Sequence, residues 1–273
     1  MKLISICPSN TELLAYLGLI DQLVAVDDFS DWPNEINSLP RLGPDLSIDM
    51  DKLELYEPDL VLASLSVPGM EKNIVELEKR QIPYIVLDPQ SLENIADDLL
   101  IVGKACGIDD KAQTIASGYL SFIDEMKNRA AAVKNTPTLY WEWWPKPVFT
   151  PGSVNWLTEV SMIAGGMNEF RDIELASVQT DWNDILLRSP DYILLAWVGT
   201  RMDKVKKEVV LKRPGWKDLD AVKNNRISIM EEELFCRPSP RLLEGAFKLA
   251  NMIHPETYRD LELPAWVTNV YDE

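Results

Sequence analysis

The run Tyr140-Trp141-Glu142-Trp143-Trp144-Pro145-Lys146-Pro147 places three indoles and a carboxylate within four residues at the end of an apolar, strand-like stretch. In a half-buried strand, alternate side chains face opposite sides, so one face of this run is expected to need a partner outside the core. Indoles supply large flat surfaces with one polar N–H each, and stacking on a flat conjugated ring is the chemistry they suit best. The same indoles could equally pack an interface between two halves of the molecule. Glu142, Asp181, Arg237 and Arg241 are the polar candidates. They would meet polar groups of a ligand or, on the structural alternative, cap helices and pair charges between lobes. Arg237 and Arg241 lie four apart, but Pro238 and Pro240 intervene, so the two need not share a helical face.

Catalytic constellations are poorly supported. The one histidine, His254, precedes Pro255 at a helix end, so a histidine metal centre, a Ser-His-Asp triad or a histidine base has little to build on. No metal ligand set is expected. Neither a GxGxxG nor a GxxxxGK spacing occurs, and nucleotide cofactors are not indicated. An enzyme alternative rests on Cys7, expected at a strand end ahead of a helix N-terminus, where the helix dipole lowers a thiol pKa. The arginine of a phosphatase-type loop is missing, since Leu13 stands at its place, and no second cysteine lies nearby. A small buried residue is the default for Cys7.

The elements that would position these residues alternate. Strands are expected near Leu3 to Ile6, Val24 to Val26, Leu60 to Ala63 and Tyr84 to Leu87, with helices between, which predicts a parallel sheet. Ser9 and Glu12 form a capping-box pattern for the first helix, and Gly18 stops it. From Leu92 to Val133 the chain has no proline and is broken only around Gly107-Ile108-Asp109, which reads as one long helical connector with room for a bend. Further strands are expected at Leu139 to Trp141, Ile193 to Trp197 and Ile227 to Met230, and a last helix at Arg241 to Ile253. The tail after Pro255 has no strong period. The expected fold class is therefore α/β: two Rossmann-like lobes with mainly parallel sheets, 1–90 and 135–273, joined by a long helix over 91–134 with a ligand cleft between them.

An internal echo supports two related lobes. Asp49, followed by Pro58-Asp59-Leu60-Val61-Leu62, is matched by Asp181, followed by Pro190-Asp191-Tyr192-Ile193-Leu194, at a constant offset of 132 residues. Length fits two lobes: the chain has 273 residues, of which 46% are hydrophobic and 26% charged. With 27 basic against 44 acidic side chains the formal charge is −17, which repels nucleic acid and anionic lipid. No stretch is long and apolar enough to span a membrane. Cys7, Cys106 and Cys236 are odd in number and widely spaced, against a disulfide framework. The start reads as a first strand rather than a signal peptide, which leaves two readings: a cytoplasmic protein, or an extracytoplasmic one whose leader was trimmed.

Taken in order, Ser5-Ile6-Cys7-Pro8-Ser9-Asn10-Thr11-Glu12, Val26-Asp27-Asp28-Phe29-Ser30-Asp31-Trp32-Pro33, Pro58-Asp59-Leu60-Val61-Leu62, Phe149-Thr150-Pro151-Gly152 and Arg237-Pro238-Ser239-Pro240-Arg241 resemble the helical-backbone (class III) substrate-binding proteins of ABC importers. Within that class they sit nearest the vitamin B12 (cobalamin) binders, which are related to those for haem and siderophores. The resemblance implies non-catalytic binding of a large, partly apolar ligand, a corrinoid by preference, between lobes that move little. It places Trp32, Phe149, Trp197 and Phe235 around the cleft with the indoles of 141–144, and gives Arg237 and Arg241 a corrinoid's amide arms or phosphate to meet. It also implies a transporter-docking acid on each lobe: Glu71 matches on the first, and the echo carries that position to Asp203, a shorter acid and a departure from the pattern. The partners implied are a small-molecule ligand and the membrane subunits of a transporter, with the protein itself a monomer. An intracellular corrinoid or metal-chelate sensor or carrier that has lost export is the competing reading.

Overall fold

The structure is a computed structural model that describes residues 1–268 and 270. The first lobe runs β1 (Leu3–Ser5), α1 (Pro8–Tyr16), β2 (Leu23–Val26), α2 (Met50–Glu54), β3 (Leu60–Ser64), α3 (Glu71–Lys79) and β4 (Tyr84–Leu87). Two helices follow, α4 (Leu92–Cys106) and α5 (Asp109–Ala131). The second lobe begins with β5 (Thr138–Glu142), β6 (Trp144–Pro145), β7 (Val148–Pro151), α6 (Trp156–Ile163), β8 (Met167–Asn168), β9 (Ser177–Thr180), α7 (Trp182–Arg188) and β10 (Tyr192–Leu195). It continues through α8 (Lys207–Leu211), α9 (Asp220–Lys223), β11 (Ile227–Ile229), α10 (Glu232–Phe235) and α11 (Leu242–Ile253), and the chain ends with α12 (Pro255–Tyr258) and α13 (Ala265–Thr268).

Each lobe holds a four-stranded parallel sheet, ordered β2-β1-β3-β4 in the first and β8-β5-β10-β11 in the second. The two orders superimpose strand for strand, and the 132-residue echo falls on equivalent elements. Asp49 and Asp181 both cap the following helix, accepting from Lys52 N–H and from Asn183 and Asp184 N–H respectively. Glu57, a short turn past α2, and Ser189, the C-cap of α7, both adopt the left-handed region, at φ 49° and 52°, directly before a proline. Asp59 and Asp191 then each take the backbone N–H at the start of the neighbouring strand, Lys2 at 2.6 Å and Thr138 at 2.9 Å.

Parallel strands are covered on both faces, so their sequences need not alternate with polar residues. β3, Leu-Val-Leu-Ala-Ser, is buried throughout. Leu3, Leu62, Leu139 and Leu194 face one apolar cluster, while Ile4, Val61, Tyr140 and Ile193 face the clusters behind each sheet. The first cluster is shared: it also takes in Val102 of α4, Tyr119 and Met126 of α5, Leu157 of α6 and Leu243 of α11, so one core runs through both lobes.

The segment expected as one helix over 91–134 is two. Gly107 adopts φ 70° and ends α4, and α5 starts two residues later and packs back along it. A Cβ on Gly103 would lie 2.1 Å from that of Ala112, so the close approach of these helices requires glycine there. The connector proper is α5, whose 23 residues span about 35 Å at 1.5 Å per residue. No helix among the described residues is long and apolar enough to cross a membrane.

Two regions depart from the sequence expectation. β6, β7 and β9 form a small antiparallel sheet that the first lobe lacks. The tail, which has no period to read, crosses back to the first lobe, where Trp266 meets Tyr16 edge-on at 6.0 Å and lies against Gly118 of α5.

Candidate functional site

The loops that follow β1, β2 and β3 in the first lobe face those that follow β10 and β11 in the second, across a cleft of about 430 Å³. Ligands of open parallel sheets bind at the carboxyl ends of strands because the crossover helices start there and leave a crevice. The volume lies within the usual range for small-molecule sites, about 300–1,000 Å³. The first lobe contributes Cys7 to Ser9, Asp28, Phe29, Asp31 and Asp45, and the second contributes Val198 to Arg201 and Glu232 to Pro238 except the buried Leu234 and Phe235. Phe29, Leu46 and Val198 lie in this cleft as exposed apolar side chains.

Beneath the cleft the lobes are held together by charge. Glu12, on α1 and almost fully buried, accepts from Arg237 Nη1 at 3.1 Å, Arg241 Nη1 at 3.0 Å and Ser239 Oγ at 2.5 Å. Arg237 also forks onto Asp31 at 2.6 and 3.1 Å and reaches Glu232 at 3.3 Å. Arg241 lies over the Trp32 ring at 4.7 Å, and Trp32 tilts against Tyr16. Burial alone would raise the Asp31 carboxyl, but Arg237 and Arg241 outweigh it and hold it below the usual range. For Glu232 burial prevails over Arg237 and raises the group. Of the two alternatives for Arg237 and Arg241, the structure displays lobe-to-lobe pairing, with Arg237 also lining the cleft.

Most of the indole-rich run is not in the cleft. Trp141 is fully buried, donates to Ser161 Oγ at 2.9 Å and packs on Phe235, itself fully buried, with ring centroids 5.1 Å apart. Glu142 is fully buried on the opposite face. It accepts from Tyr140 Oη at 2.7 Å, Trp197 Nε1 at 3.1 Å and both Nη atoms of Arg213 at 2.5 and 2.8 Å. Arg213 in turn lies 4.5 Å from the Trp216 ring and 5.2 Å from Trp182. The expectation that one strand face needs an outside partner fails because a parallel sheet has core on both faces. Trp144 and Phe149 are cross-strand partners in the β6–β7 hairpin, with Trp144 Nε1 donating to Lys146 O. Asp181 caps α7 and lines a second hollow beside that hairpin, away from the cleft loops. Trp143 differs from its neighbours: half-buried, its ring lies 6.1 Å from Trp156, and its Nε1 is buried without a hydrogen-bond partner. Its carbonyl accepts from Val198 N–H, which puts it directly behind the cleft wall.

Cys7 lines the cleft, 3.2 Å from Ser9 Oγ, but burial and then Asp27 push its thiol up to about 11, the reverse of what a reactive thiolate requires. Asp27 is fully buried and pushed up to about 6 by burial, although Phe29 N–H, Ser30 N–H and Ser30 Oγ all donate to it. It thereby ties down the loop that carries Phe29 and Asp31. His254 Nε2 meets Gly165 O at 3.0 Å, a packing contact between helix ends.

Sequence reasoning missed Asp28, Phe29, Asp45, Leu46, Ser66 and Glu233 as lining residues. The signal was present: they follow strand ends, where the crevice of a parallel sheet must lie. Glu71 and Asp203 are exposed and sit one on each lobe beside lining loops, Glu71 accepting from Gly69 N–H and Asp203 paired with Arg201 and Lys204.

The chain is 29% identical over 264 residues to an uncharacterized ABC transporter substrate-binding lipoprotein of Bacillus subtilis, YvrC, covering 95% of this chain and 82% of that one. It is 26% identical over 251 residues to the vitamin B12-binding protein of Vibrio cholerae, covering 89% and 86%. Among solved structures, the Vibrio cholerae periplasmic vitamin B12-binding protein matches with a TM-score of 0.77 at 22% identity, over 93% of this chain and 98% of that one. The periplasmic haem-binding protein RhuT of Roseiflexus matches with 0.82 at 19%, over 94% and 98%. At these identities the solved structures speak to the fold alone. The family model described as periplasmic binding protein matches residues 3–234, and the chain belongs to that family.

Proposed function

We propose that this protein is the substrate-binding component of an ABC importer, and that it holds a corrinoid between its lobes without catalysing a reaction on it. The observation that carries this reading is the cleft itself: two copies of one fold present their strand carboxyl ends to each other, and a shared core and buried ion pairs clamp them together. Such a site suits binding and release of a whole molecule. Nothing among its described lining residues resembles an activated nucleophile, because burial raises the thiol pKa of both cysteines that line it, Cys7 and Cys236. The similarity to vitamin B12-binding proteins over most of the chain supports the corrinoid over other large ligands.

In this reading Phe29, Leu46 and Val198 offer the apolar surface, and Arg237 stands at the ion-paired edge of the site with Trp32 and Arg241 behind it. Trp143 is the member of the indole run that stands nearest the ligand, backing the cleft wall through Val198 rather than lining it. Trp141, Glu142, Trp197 and Phe235 serve the core instead. Glu71 and Asp203 are the docking acids, one on each lip, and the working form is a monomer outside the cytoplasm, as the lipoprotein relative suggests. Tryptophan-fluorescence titration with cobalamin, cobinamide, haem and a ferric siderophore tests the reading. Saturable one-to-one quenching by a corrinoid, reduced in amplitude in Trp32→Phe, is the expected result. Flat titrations for all four would remove the ligand class.

A further inference from the structure

The charges lining the cleft are lopsided. Asp28, Asp45 and Glu233 face it with no basic partner within ion-pairing distance among the described residues. The two cationic lining residues are both occupied: Arg237 by Asp31, Glu12 and Glu232, and Arg201 by Asp203 at 3.1 Å. Among the described lining residues, no cation is therefore left over for a ligand's carboxylate or phosphate. Beside these acids stand Phe29 and Leu46 from the first lobe and Val198 from the second, each at least two-fifths exposed.

We infer, building on the binding role proposed above, that the cleft selects its ligand by charge: it takes a molecule with an apolar face and a rim of N–H or cationic groups, and rejects one whose rim carries carboxylates. The apolar residues of both lobes would cover the face of such a ligand. The unpaired carboxylates would accept hydrogen bonds from its rim. An anionic rim would instead meet like charges across a partly water-excluded gap, where screening by salt is weak. Burial raises the Asp45 carboxyl, as expected for a charged group only partly open to water. The assignment separates this chain from binding proteins for acidic macrocycles that share its fold.

The test uses two matched pairs: cobinamide against a cobyrinate in which the amide arms are carboxylates, and a neutral or cationic ferric trihydroxamate against a trianionic ferric tris-catecholate. Affinities are measured by calorimetry at low and high salt on the full chain and on the Asp45→Asn/Glu233→Gln variant, whose fold is checked by its melting curve. The expected result is that the non-anionic member binds at least tenfold more tightly in whichever pair binds, with the gap shrinking at least fivefold in the variant. Equal or tighter binding of the anionic members would overturn charge selection and leave the binding role intact. A gap unchanged in the variant would also overturn it, since these carboxylates would not be its cause. Failure of all four ligands to bind would overturn the corrinoid and chelate reading itself, and this inference with it.

Discussion

The two lobes share a strand order, yet the end of the same strand does opposite work in each. In the first lobe β1 runs out into Cys7 and Ser9, small side chains that leave open space and line the cleft. In the second, β5 runs out into Glu142, Trp143 and Trp144, and an added antiparallel hairpin with the Glu142–Arg213 pair fills the volume. The lesson concerns aromatic residues. Four rings, those of Tyr140, Trp182, Trp197 and Trp216, surround that buried charge and supply it with hydrogen bonds or ring faces. Dense tryptophan in the second lobe marks where a charge is shielded, whereas the ligand cleft is built from short polar and acidic loops.

The largest effect that could break this contrast comes from removing one half of the buried pair. Glu142→Gln or Arg213→Met each strands a charge in the core and should cost about 3–5 kcal/mol in urea denaturation, with the double variant recovering much of the loss. A single variant costing under about 1 kcal/mol would mean that the rings are not shielding a charge.

The charge cluster between the lobes comes next. Glu12→Gln leaves Arg237 and Arg241 short of their shared acceptor and should cost about 2–3 kcal/mol. Small-angle scattering should report a wider inter-lobe distribution. An unchanged scattering profile would show that the shared apolar core alone sets lobe spacing.

A smaller effect follows from Asp27. Its folded pKa of about 6 lies above its ordinary value near 4, so the folded state holds the proton more tightly than the unfolded chain does. Its contribution to stability is therefore most favourable below about pH 4, falls as pH rises to about 6, and is constant above that. Stability of Asp27→Asn measured at pH 4, 5, 6 and 7 should fall less steeply than that of the parent, the curves differing by about 2 kcal/mol across the window. Parallel curves would contradict the buried setting assigned to this carboxyl.

The smallest effect is the sharpest control. Trp144→Ala, on an exposed hairpin ring, should change stability by under about 1 kcal/mol and leave ligand quenching in place. Loss of binding in this variant would restore the hairpin as the ligand site.

Much of this architecture was legible in the sequence for a local reason. Helix caps such as Asp49 and Asp181, the Pro-Asp turns and the four-residue apolar strands are short-range signals, and their repetition at 132 residues points to two related lobes without any long-range contact. The break at Gly107 was visible too, though not that α5 folds back along α4. The site was harder, because its partners are remote in sequence: Glu142 meets Arg213 71 residues on, and Glu12 meets Arg237 225 residues on. No periodicity reports such pairings. The indole run is deceptive for a physical reason, since the alternation rule assumes one wet face and a parallel sheet has none.

Hydrogen–deuterium exchange with and without saturating cobinamide reads the cleft and the aromatic hairpin in one experiment. Protection is expected in the loops carrying Cys7 to Ser9, Asp28 to Asp31, Val198 to Arg201 and Glu232 to Pro238, with the hairpin at Trp144 to Phe149 unchanged. Protection confined to the hairpin and to Asp181, with the cleft loops exchanging as before, would contradict a ligand site in the cleft.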